Sequence, residues 1–161
     1  MTSEEVEDRE VSEGPLLPSL AEKLAKHPKR IVFPEGTNAQ VVRAASRYAQ
    51  MRMGPVVLLG QPDLVRRQAK TQKVELDRVM IIDPVEGQDR QMFKDHLRSE
   101  AGGAKLKLSQ IDDTLSDPIV YGTLMLRFGQ VDGLVAGAIF TYNILLELPF
   151  FTNLLIRIGL Q

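Results

Sequence analysis

The chain has no cysteine, which excludes disulfides and thiolate chemistry. Its two histidines, His27 and His96, are far apart and lack ligand spacing, so no zinc site is expected. Formal net charge is −1, and no excess of either sign draws the chain to nucleic acid or to an anionic membrane. Neither Gly-x-x-x-x-Gly-Lys-Ser/Thr nor Gly-x-Gly-x-x-Gly occurs, and the pair Gly102-Gly103 reads as a helix stop. The acidic N-terminus carries no basic region followed by an apolar stretch, so no secretory signal is read and a cytoplasmic location is expected.

What is present suits a globular domain. Hydrophobic residues make up 43% and charged residues 25% of 161, enough for one sizeable core. Residues 1–18 are polar and acidic and contain Gly14-Pro15 and Pro18, which predicts a disordered leader ahead of one α/β domain over 19–161. Ser19 and Glu22 have capping-box spacing for a short helix that Pro28 ends.

From there strands and helices alternate. Short apolar runs predict strands at 30–33, 55–59, 79–82 and 133–138. Helical spacing and stop signals predict helices at 37–53, 62–72, 88–100 and 117–128. Thr37 is the expected start of the first of these. Such alternation implies a three-layer α/β/α fold with a mostly parallel sheet. In that fold ligands bind outside the carboxyl ends of the strands, where Pro34-Glu35-Gly36 lies.

Several blocks resemble one family. Arg30-Ile-Val-Phe-Pro-Glu-Gly-Thr37, Pro55-Val-Val-Leu-Leu-Gly60, Ile81-Ile-Asp-Pro84, Leu97-Arg98, Tyr121-Gly-Thr-Leu-Met-Leu-Arg-Phe-Gly129 and Asp132-Gly-Leu-Val-Ala-Gly-Ala138 are similar to the N-terminal half of phosphate acetyl- and butyryltransferases. The resemblance implies acetyl transfer between acetyl-CoA and inorganic phosphate, with acetyl phosphate as product and CoA as substrate rather than resident cofactor. It also implies a cleft between two α/β domains, of which the second is expected to be absent here.

The resemblance assigns candidate substrate-binding residues but no catalytic one. Arg98 matches a cleft arginine on the CoA side, where a guanidinium offers a bidentate fork; a solvated arginine near a helix end is the alternative. Gly137 matches part of the anion site, since a glycine lets backbone N–H groups approach phosphate. Thr141 falls on a hydroxyl position of that site, or else caps a helix. Glu35 either orients a cleft cation or simply sits favourably before a helix N-terminus.

One departure stands out. Counting from Gly137 without a gap, Glu147 falls where the family has a principal active-site arginine, and Phe140 falls where a histidine is frequent. A carboxylate there repels phosphate, so weak or no turnover is expected of the isolated chain. The alternative is a non-catalytic acyl-CoA-sensing or interaction domain, like the C-terminal domain of large bacterial malic enzymes.

Residues 139–160 contain only Glu147 and Arg157 as charges. Glu147, Pro149, Asn143 and Asn153 argue against a membrane span. A buried helix is expected instead, covered by a second domain or by another copy in a homo-oligomer.

Overall fold

The computed structural model describes residues 16–100 and 108–137. Within them the order is α1 (Leu16–Lys26), β1 (Ile31–Phe33), α2 (Ala39–Gln50), β2 (Val56–Leu59), α3 (Pro62–Thr71), β3 (Val79–Ile82), α4 (Arg90–Glu100), α5 (Leu108–Ser116), α6 (Pro118–Arg127) and β4 (Gly133–Leu134).

The four strands form one sheet in the order β3-β2-β1-β4, and every pairing is parallel. Ile31 stands opposite Val56 and Gly133, and Val56 opposite Val79. The chain therefore builds outward from β1 to β3, then returns to place β4 on the other side of β1.

Pleating divides the core in two. Phe33, Val56 and Leu58 pack with Val41, Val42, Ala45 and Ala49 of α2 and with Val65 and Ala69 of α3. Val32, Val57 and Leu59 pack with Phe93, Leu97, Ile111, Leu115 and the buried side chains of α6. All four residues of β2 are buried, as a strand covered on both faces requires. The layers are thus helix, sheet, helix, as the alternation predicted.

α6 is the most enclosed helix: Ile119 through Met125 are all buried. Asp117 caps it by accepting from the N–H groups of Ile119 and Val120, and Pro118 fits the first turn, where no donor is lost. Gly122 lets it approach the sheet, since a Cβ there would lie 3.0 Å from Leu134 and 3.3 Å from Leu59. Phe93 meets the edge of the Tyr121 ring, with centroids 5.0 Å apart.

Some boundaries differ from the sequence expectation. α1 begins at Leu16, so Ser19 lies inside the helix and is not its cap; Pro18 still falls within the first turn, where proline is tolerated. α2 starts at Ala39, not Thr37, and is capped by Asn38, whose side chain accepts from the N–H groups of Gln40 and Val41. β4 has two residues, not six. α5 was not expected at all. The Gly102-Gly103 stop, Thr141, Glu147 and the segment 139–160 lie outside the described residues. Among the described residues no helix is long and apolar enough to cross a membrane.

Candidate functional site

Because β4 returns beside β1, the sheet order reverses between them. The crevice outside the carboxyl ends of β1 and β4 is therefore the topological switch point, where open α/β sheets bind ligands. Two of the sequence-nominated residues meet there.

Glu35 follows β1 in the turn Pro34-Glu35-Gly36, and is largely buried. Gly137 follows β4. The Gly137 N–H donates to the Glu35 carboxylate at 3.2 Å, across 102 residues of sequence. Gly137 has φ +121°, a conformation that favours glycine, and a Cβ there would meet nothing within 4 Å among the described residues. It is thus a glycine-specific backbone position at the carboxyl end of β4.

The neighbouring turns are tightly built. The Gly36 N–H donates to the Leu59 carbonyl at 3.0 Å, and a Cβ on Gly36 would lie 2.5 Å from that oxygen. The Gly60 N–H donates to the Ile82 carbonyl at 2.9 Å. The Asn38 N–H donates to the Glu35 carbonyl at 2.9 Å, so the turn after β1 leads directly into the cap of α2. The ends of β1, β2 and β3 are in this way fixed to one another. The helix N-terminus beside them contributes a partial positive charge favourable to anions.

Arg98 is not part of this cluster. It sits in the last turn of α4 and pairs with Asp95 of the same helix at 3.0 Å, with both side chains exposed. No hydrogen bond or ion pair joins it to Glu35 or Gly137 among the described residues.

A second hollow, of about 440 Å³, opens at the carboxyl end of β3. Asp83, Glu86 and Asp89 line it, and that sign of charge repels phosphate. The buried Tyr121 phenol reaches the same hollow and titrates above its usual value, mainly through burial and then through the nearby Asp89 charge. Behind it, Arg90 and Lys94 both hold the Asp112 carboxylate, at 2.9 and 2.5 Å. These bonds lower the Asp112 pKa, Lys94 contributing most. Among the described residues no group of three or more His, Cys, Asp and Glu side chains could hold a metal ion.

At the amino end of the sheet lies a link that the sequence reading missed. The Asp132 carboxylate accepts from the Arg30 backbone N–H at 2.8 Å, from Nε at 3.1 Å and from Nη2 at 2.9 Å. Side-chain bonding to Arg30 holds the Asp132 carboxyl well below the usual range, and the backbone bond adds to it. A separation of 102 residues leaves no local signal for this pair.

The sequence matches the family described as "Phosphate acetyl/butaryl transferase" over residues 16–149. It is 40% identical over 115 residues to the phosphate acetyltransferase of Deinococcus radiodurans, covering 70% of this chain and 16% of that protein. It is 37% identical over 123 residues to the phosphate acetyltransferase of Salmonella typhimurium, covering 76% and 17%. Among solved structures it resembles a phosphotransacetylase from Streptococcus pyogenes, with TM-score 0.70 and 32% identity over 78% of this chain and 38% of that one. The chain therefore spans about a sixth of those two curated relatives and less than half of that solved structure.

Proposed function

The chain belongs to the phosphate acetyl/butaryl transferase family, and on that premise we propose that it carries the N-terminal part of an acetyl-transfer site acting between acetyl-CoA and inorganic phosphate. The observation that supports this reading most is the meeting of Glu35 and Gly137 at the switch point. Gly137 offers a backbone N–H to anionic oxygen, as its bond to the Glu35 carboxylate illustrates, and the α2 N-terminus adds its dipole. Those are groups that bind a phosphate or stabilise charge developing on an acyl oxygen. Thr141, four residues further on, would add a hydroxyl. Arg98 would join the CoA side only if it left Asp95, an exposed partner that holds it weakly.

The isolated chain turns over slowly or not at all. Substrate must displace the Glu35 carboxylate from the Gly137 N–H, and Glu147 stands where the family has its cation. Residues 139–160 meet a second domain or a second copy, and the cytoplasm is the compartment where acetyl-CoA and phosphate are at hand. The same Glu35–Gly137 contact favours a second reading, an acyl-CoA-sensing domain without chemistry.

Calorimetric titration with acetyl-CoA, paired with thiol consumption from CoA and acetyl phosphate, tests both. Binding that Gly137→Val weakens at least tenfold is the expected result. Thiol consumption above background selects the enzyme over the sensor, whereas binding without it is the result that an incomplete acetyl-transfer site and a sensor share. A folded sample that neither binds nor reacts overturns the proposal.

A further inference from the structure

At the amino end of the sheet, opposite the switch point, a concavity of about 300 Å³ is lined by Pro28, Ala49, Arg52, Gly54, Pro55 and Arg78. Its construction is specific. The Met53 carbonyl accepts from the Lys29 N–H at 3.2 Å, and the Pro55 carbonyl accepts from the Ile31 N–H at 3.0 Å. Gly54 has φ +151° and lies so close to Lys29 that a Cβ would come within 2.0 Å of its carbonyl oxygen. The floor is therefore fixed by the sheet itself.

The two arginines occupy backbone positions made for glycine. Arg52 has φ +56° and ends α2: its N–H donates to the Ala49 carbonyl, and the Met53 N–H donates to the Tyr48 carbonyl. That is the left-handed helix stop in which glycine is the usual residue. α6 ends in the same way and does use glycine, Gly129 at φ +69°. Arg78 has φ +64° in the turn closed by the Val79 N–H and the Leu76 carbonyl. A side chain at such a φ costs stability, as it does at Lys73 (φ +54°), and what sets Arg52 and Arg78 apart is that both line the same concavity.

Neither guanidinium enters an ion pair among the described residues, although Asp77 adjoins Arg78. Among the described residues the remaining walls are Pro28, Ala49, Gly54 and Pro55, none of them aromatic.

We propose that Arg52 and Arg78 form an anion site, separate from the acetyl-transfer site, that takes the phosphoryl group of a small phosphorylated molecule or free phosphate. Two guanidiniums match a phosphate dianion in charge and can each bond it through a planar fork. Occupancy would offset the backbone strain at both positions, which links this site to the stability of the whole sheet end.

The test uses the full 161-residue chain and its Arg52→Gly/Arg78→Gly double variant. Glycine relieves both positive-φ positions, so the variant folds and its melting midpoint in phosphate-free buffer rises by a few degrees. Inorganic phosphate and, in parallel, glycerol 3-phosphate are titrated while backbone amide resonances are followed. Saturable shifts at Arg52, Gly54 and Arg78, weakened at least tenfold in the double variant, are expected. Tighter binding of glycerol 3-phosphate assigns the site to a phosphomonoester, and tighter binding of inorganic phosphate to the free ion. Shifts that persist unchanged in the double variant, or that occur only near Gly137, overturn the proposal. The Gly137 response reports separately on the acetyl-transfer site.

Discussion

A methyl group at Gly36 would lie 2.5 Å from the Leu59 carbonyl oxygen, which already accepts from the Gly36 N–H. Gly36→Ala must therefore push apart the ends of β1 and β2. Overpacking of this kind costs about 1–3 kcal/mol, readable as a lower urea midpoint, and acetyl-CoA binding should fall with it. Asp132 sets a pH dependence at the other end of the sheet. Its folded pKa is depressed by Arg30, so its contribution is complete above the ordinary carboxyl value, near pH 4. It is lost as pH falls from there through the lower folded value. The thermal midpoint should drop more steeply below about pH 4 in the native chain than in Asp132→Asn. At this scale the sequence was partly legible. Glu35 and Gly137 could each be nominated singly, but their hydrogen bond depends on β4 returning beside β1, which no local pattern encodes. Arg98 could be matched to a motif, yet which carboxylate it faces is decided by its helix, where Asp95 lies one turn away.

Elements were legible wherever their boundary signals are local. β3 has the bounds that its apolar run predicts, and Pro62 opens α3 as the first-turn rule requires. α2 starts two residues later than Thr37, at Ala39, because the geometry of the turn after β1 makes Asn38 the cap. Asn38→Ala should cost about 1 kcal/mol, whereas Thr37→Ala, at an exposed position outside the cap, should cost little; urea unfolding of both variants checks this. α5 escaped notice for a different reason. Nine residues are too few to be a stable helix alone. Ile111 and Leu115 become buried only once α4 and α6 flank them. β4 is short because its pairing with β1 is confined to Ile31–Gly133 and Val32–Leu134. Helix ends carry a further expectation. Lys73, at φ +54°, closes α3 with the same pair of bonds as Arg52 closes α2. Lys73→Gly, which lines no concavity described above, should stabilise by about 0.5–1 kcal/mol in thermal unfolding.

At the scale of the molecule, the parallel sheet gives its two ends different chemistry. The carboxyl end gathers glycine turns, a helix N-terminus and the Glu35–Gly137 bond. The amino end gathers Arg52 and Arg78 and the Arg30–Asp132 pair. This polarity follows from topology: parallel strands put all their carboxyl ends on one side, and the reversal between β1 and β4 opens the crevice there. The layer order was legible from the alternation of strands and helices, whereas the strand order was not, because it depends on which side of β1 the last strand chooses. The central claim is that the carboxyl end of β1 and β4 is where this chain meets its substrate. Backbone amide shifts of the full chain during titration with acetyl-CoA test it most directly. The account predicts saturable shifts at Gly36, Asn38 and Gly137 that Gly137→Val suppresses; shifts confined to Arg52, Gly54 and Arg78, or none in a folded sample, would contradict it.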